Sequence, residues 1–149
     1  MPDTRRAEPE LRTDYRVLRP ISTRWSDNDI YGHVNNVVYY SWFDTAVNGY
    51  LIEQGVLDIH RGPFIGLVVQ TQCHYFAPLA YPQPVLSGLR VGHRGRSSVL
   101  YEVALFAADG PDQAPCAARG HFVHVYVDRQ TRRPCPLPPD FVAALEKLK

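Results

Sequence analysis

The chain has 149 residues, 45% of them apolar and 21% charged, which is the usage of an ordinary folded domain and excludes a disordered or collagen-like chain. Sixteen basic against fifteen acidic residues leave a formal charge of +1, so no broad electrostatic attraction for nucleic acid or an anionic membrane is expected. No run of about 18 apolar residues is present and the first residues lack the apolar stretch of a secretory signal, which makes the cytoplasm the expected address.

A single domain over residues 14–149 is expected, preceded by a charged, proline-bearing, flexible tail over residues 1–13. Tyr15 to Trp25 reads as a first strand. Pro20 cannot donate to a ladder, so that strand belongs at a sheet edge or carries a bulge. From Val37 to Gln54 apolar or small residues recur at Val38, Trp42, Ala46 and Gly49/Tyr50, the three-and-four spacing of a helix face. Asn35 or Asn36 suits its N-cap and Gly55 the left-handed position that ends it. Ala46 and Gly49 on that face allow another layer to approach closely, as when a sheet wraps around a central helix.

Leu57 to Gly62 forms a linker, and four strand-like runs follow: Phe64 to Ala77, Val85 to Gly92, Val99 to Ala108 and Cys116 to Asp128. The separators carry Gly, Pro and Asp, and their short lengths imply mainly antiparallel neighbours in a meander. Pro134 to Pro139 is extended, and Asp140 to Leu148 reads as a short amphipathic helix capped by Asp140. Strand, helix and four strands make an α+β domain, with one long helix against a curved, mainly antiparallel sheet of about five strands. The sheet edges left open favour a homodimer that continues the sheet or covers a face.

Chemistry concentrates just before the helix. Asp27, Asp29, His33, Asn35 and Asn36 fall within ten residues, where the unpaired first-turn N–H groups and the positive end of the helix dipole favour negative charge. A substrate oxygen that becomes anionic would be stabilised there. Asp27, Asn35 and Asn36 also suit turn and cap roles, and His33 divides between contacting substrate, orienting Asp29 and satisfying the loop backbone. Cys73, Cys116 and Cys135 are odd in number and widely spaced, as reduced thiols are. His121 and His124 are three apart and so lie on opposite faces of a strand, which argues against a metal site.

The run Asp27-x-Asp29-x-x-Gly32-His33-Val34-Asn35-Asn36-x-x-Tyr39, followed by Trp42-Phe43-Asp44-x-Ala46, resembles the signature of hotdog-fold thioesterases, the 4-hydroxybenzoyl-CoA thioesterase-like group that hydrolyses acyl-CoA and acyl-carrier-protein thioesters. The resemblance implies a hotdog fold, hydrolysis without metal or other cofactor, and homodimers or homotetramers with sites at the subunit interface. It implies that Asp29 is the catalytic carboxylate, acting as nucleophile or as general base on water, and that the backbone N–H near Asn36 polarises the thioester carbonyl. His33 matches a histidine implicated in one branch, although Tyr31 stands where that branch has Asn. The turn carrying Arg94, Arg96, Ser97 and Ser98 is similar to one near the CoA phosphates, and arginine suits phosphate by bidentate pairing. Tyr31, Tyr39, Trp42 and Phe64 are candidate lining of an acyl pocket and permit an aromatic acyl group as readily as an aliphatic one. A non-catalytic acyl-thioester binding protein is the alternative.

Overall fold

The computed structural model describes residues 7–149; residues 1–6 of the expected flexible tail lie outside them. Five strands form one antiparallel sheet: β1 (Val17–Ile21), β2 (Phe64–Tyr75), β3 (Val85–Arg94), β4 (Ser98–Ala107) and β5 (Ala118–Asp128). Helix α1 (Asn36–Glu53) follows β1, and a short α2 (Pro139–Glu146) ends the chain. No described helix is long and apolar enough to cross a membrane.

The strand order is β1-β3-β4-β5-β2. The expected meander therefore holds for β3, β4 and β5 only. β2 pairs with β5 at one edge, and residues 76–84 carry the chain across to β3. Three strand spacings of about 4.8 Å separate the two, well within the reach of nine extended residues at about 3.3 Å each. β1 lies at the other edge against β3, where Pro20 needs no ladder partner on its open side.

Helix α1 starts where Asn35 Oδ1 accepts the Val37 N–H at 3.1 Å and stops at Gly55, whose φ is +74°. Between them Tyr39, Trp42, Phe43, Ala46, Val47, Tyr50 and Leu51 are buried against the concave sheet face. At about 1.5–3 kcal/mol for each large side chain removed from water, this face anchors the domain. Phe43 reaches the sheet at Gly120, where an added Cβ would lie 2.7 Å from its ring. Gly49 instead leaves room for the Arg19 guanidinium, which pairs with Glu53.

The convex face carries a smaller cluster of Tyr15, Ala104, Phe106 and Cys116. Residues 10–15 cover it, a departure from a flexible segment up to residue 13. Glu10 pairs with Arg90 at 2.7 Å and Arg119 at 3.2 Å, its carbonyl accepts the Cys116 N–H, and a 3-10 turn spans Arg12–Asp14. Two guanidiniums on the sheet hold this acidic segment in place. In α2 the N-cap is Pro138, with Pro139 in the first turn, and Asp140 accepts the Phe141 N–H instead. Phe141 packs on Phe64 and Tyr126, and the Tyr50 hydroxyl donates to the Ala144 carbonyl at 2.6 Å, closing the end of the core.

Candidate active site

The loop from Arg24 to Asn36 is braced at both ends. Asp27 is fully buried at the end of a 3-10 turn (Trp25–Asp27). Its carboxylate accepts the Arg24 N–H at 2.7 Å and the Arg24 guanidinium at 2.9 and 3.1 Å, and its carbonyl accepts the Asn35 N–H at 2.9 Å. It therefore ties the start of the loop to the helix cap. The Val34 N–H donates to the Leu79 carbonyl, and the Tyr81 N–H to Asn28 Oδ1, so both flanks are fastened to the segment between β2 and β3.

Between those flanks residues 29–33 make a tight turn. The Asp29 N–H donates to the His33 carbonyl and the Gly32 N–H to the Asp29 carbonyl, with Gly32 at φ +81°. An L side chain is disfavoured at that angle, and glycine is not. The turn pushes Ile30 and Tyr31 outward; both are almost fully exposed. Asp29 Oδ1 accepts the Tyr31 N–H at 2.8 Å, which fixes the carboxylate while its other oxygen has no partner among the described residues. That carboxylate lines a depression of about 260 Å³ with Trp25, Asn28, Ile30 and Gly32.

A neighbouring depression of about 300 Å³ lies at the start of α1, lined by His33, Asn36, Tyr39, Tyr75 and Pro78 among others. The first N–H groups of a helix have no intrahelical acceptor. Asn35 satisfies two of them, through its side chain to Val37 and its carbonyl to Val38. The N–H of Asn36 has no partner among the described residues. An open donor at the positive end of α1 thus follows closely along the chain on a turn presenting a carboxylate; an N–H so placed can stabilise an oxyanion.

His33, Asn36 and Tyr39 come together in this second depression, and Asp29 stands in the first. Tyr31 is at the exposed tip, and Trp42 is buried one turn along α1, bordering a separate recess with Ser22, Arg24 and Ser41. Phe64 and the β3–β4 turn with Arg94, Arg96, Ser97 and Ser98 are not brought to these residues within one chain. β2 ends at Tyr75, next to Asn36, and starts at Phe64, which pairs with Asp128. Ser98 pairs with Val125 on the same side as Asp128. The length of the 18-residue α1, about 27 Å, separates this end of the sheet from Asn36.

That far end is basic. Residues 58–62, 94–98 and 128–133 bring together Arg61, Arg94, Arg96, Arg129, Arg132 and Arg133 against Asp58 and Asp128. Both carboxylates are turned to backbone: N–H groups of Arg61 and His60 hold Asp58, and those of Thr131 and Gln130 hold Asp128, below the ordinary carboxylate range. Arg129 is spent on the carbonyls of Gly62, Asp58 and Ile59. Arg61, Arg96, Arg132 and Arg133 are exposed.

Tyr75 was not foreseen from the sequence. Its hydroxyl donates to the Asn36 carbonyl at 3.0 Å and its ring meets Tyr39 edge-on at 4.9 Å. Nothing local links two residues 39 positions apart, and only the pairing of β2 at the edge beside α1 joins them.

Residues 23–145 match the thioesterase-like superfamily. Among solved structures, the PA5185 protein from Pseudomonas aeruginosa strain PAO1 is 55% identical with a TM-score of 0.91, over 95% of this chain and 97% of its own. PA2801 of Pseudomonas aeruginosa, a proposed thioesterase, is 30% identical with a TM-score of 0.78, over 86% of this chain and 96% of its own. Slr0204 from Synechocystis, a 1,4-dihydroxy-2-naphthoyl-CoA thioesterase, shares the fold at 20% identity and a TM-score of 0.76, over 86% and 93% of the two chains. No curated protein matches the chain.

Proposed function

Because the chain belongs to the thioesterase-like superfamily, we propose that it hydrolyses acyl-CoA thioesters to the free acid and CoA. The observation that carries this reading is the open Asn36 N–H at the start of α1, beside a turn that presents the Asp29 carboxylate. A thioester carbonyl is an activated electrophile with a tolerable thiolate leaving group, so one carboxylate and one oxyanion donor suffice. In the reading, Asp29 either takes a proton from the attacking water and passes it to the departing CoA thiolate, or attacks the carbonyl carbon itself, expelling a thiolate that solvent protonates and forming a mixed anhydride that water then hydrolyses to the free acid. In either route the Asn36 N–H holds the carbonyl oxygen as it becomes anionic. In the same reading His33, on the wall of the same depression as Asn36, donates to the carbonyl, and Tyr39, lining that depression too, borders the acyl group.

The same reading makes the site a product of two chains. β2 is an edge strand of 12 residues, half open to solvent, with Leu67, Val68 and Val69 exposed. Such an edge pairs readily with another copy. In a two-fold antiparallel pairing, the start of one β2 opposes the end of the other, so the partner's basic end would lie beside Asn36. That arrangement supports a phosphate-binding role for the turn with Arg94, Arg96, Ser97 and Ser98, and brings the partner's Phe64 towards the acyl group.

Thiol release from short, medium, long-chain and aromatic acyl-CoAs, compared between wild type and a folded Asp29→Asn variant, tests the proposal. Release that follows acyl type and drops about 10³-fold or more in the variant is expected for loss of a nucleophile or base. Near-wild-type release by the variant would sink the assignment of Asp29. Turnover of an acyl-carrier-protein thioester in preference to any acyl-CoA would move the substrate to that form.

A further inference from the structure

We infer that Tyr75 is a positioning residue for the hydrolysis proposed above: its hydroxyl holds residue 36 at the start of α1, and so aims the open Asn36 N–H. The inference rests on that reading and extends it to a residue from a different element.

The geometry is specific. Residue 36 is the first of the helix, where fraying is easiest because few backbone bonds hold it. Asn35 fastens the turn from the N-terminal side through its bonds to Val37 and Val38. Tyr75 fastens it from the sheet side, its hydroxyl donating to the Asn36 carbonyl at 3.0 Å. A carbonyl oxygen accepts two hydrogen bonds, so the tyrosine adds to the helical bond without displacing it. The ring stands edge-on to the buried Tyr39, with centroids 4.9 Å apart, which turns the hydroxyl towards residue 36. Tyr75 and Asn36 line the same depression, so the contact sits beside the space where the substrate carbonyl would lie.

The energy of one partly exposed hydrogen bond is small, about 1 kcal/mol, too little to matter for the fold. Its effect on turnover is disproportionate, because an oxyanion donor acts only when held where the charge develops. A displacement of about 1 Å in such a group can cost about a hundredfold. A purely structural tyrosine would behave differently: its loss would lower stability and leave turnover per folded molecule unchanged.

The test is Tyr75→Phe, which keeps the ring and its contact with Tyr39 and removes the one hydroxyl. Wild type, Asp29→Asn and Tyr75→Phe are assayed together on the best acyl-CoA, and amide hydrogen exchange is followed along α1. Expected is a kcat lowered about tenfold or more, with KM within about twofold, and exchange of the bonded first-turn amides at positions 37 and 38 quickened while the rest of α1 is unchanged. Wild-type kcat and exchange in the variant would overturn the inference, as would faster exchange along the whole helix, which marks general loosening. An inactive wild type would refute the hydrolase reading alone. Exchange at residues 37 and 38 would then still decide whether Tyr75 holds the helix start.

Discussion

Acidification from about pH 7.5 to 5 should weaken this protein chiefly through His124. The imidazole is 2% exposed, in β5, edge-on to Tyr101 at 5.2 Å and stacked at 6.0 Å on Tyr126, with Phe122 on the same face. Its Nδ1 has no hydrogen-bond partner among the described residues, and no carboxylate is among these neighbours. Burial therefore pushes its pKa down from 6.5 to about 4. A base with a lowered folded-state pKa takes its proton in the unfolded chain first, so stability is complete above about pH 7.5 and falls as the pH drops through 6.5 towards 4. The slope is about 1.4 kcal/mol per pH unit, and the loss across that interval reaches about 3 kcal/mol. Against a total of about 5–15 kcal/mol this is a large share. Urea unfolding at about pH 7.5, 6 and 5 measures it, followed by fluorescence of the buried Trp42. His124→Phe supplies the control: an apolar ring in the same slot removes the titrating group and its unpaired nitrogen, so the variant should hold its stability where wild type loses it. Parallel losses in the two proteins would refute the argument.

Tyr101 and Tyr126 share a hydroxyl–hydroxyl bond of 2.7 Å in the buried core. Tyr126→Phe should cost about 1–3 kcal/mol by leaving the Tyr101 hydroxyl unpaired, while the double Phe variant should be less destabilised than the two single costs added; additive costs in denaturant unfolding would contradict this. Asp27→Asn removes the charge that holds the Arg24 guanidinium and weakens the cap of the loop, with an expected loss of about 2–3 kcal/mol and a lowered kcat from a loosened Asp29–Asn36 segment; unchanged unfolding midpoint and activity would show that Asp27 is not a brace.

Much of the architecture was legible before any coordinates, because it depends on neighbours a few residues apart. The three-and-four spacing from Val38 to Tyr50, the Asn35 cap and the glycine at 55 are local signals, and α1 follows them to within a residue or two. Pro20 marked an edge strand because a missing N–H is a property of the residue itself. The long run through Asp29 and His33 to Asn36 located the loop before the helix, and that loop is where a carboxylate and an open helix N–H adjoin. The order of the strands was not legible. Every antiparallel pairing of alternating apolar strands satisfies the same backbone groups, so alternation identifies strands without choosing their neighbours, and only packing around α1 sends β2 to the far edge.

The remaining differences come from that choice. Placing β2 beside the start of α1 joins Tyr75 to Asn36 and leaves Phe64 at the other end with Phe141. The formal charge of +1 is a sum over the chain and is blind to position. Folding sets Arg61, Arg96, Arg132 and Arg133, from three separate loops, at one end of the sheet while nearby aspartates are taken up by backbone N–H groups. The sequence alone determined which segments would be helix and strand, since that is written in residues close together along the chain, and it singled out the short run proposed to carry the chemistry. Which side chains from distant segments share a wall or a pole was decided only by the tertiary pairing, because contacts across tens of residues are selected by the packing of the whole core.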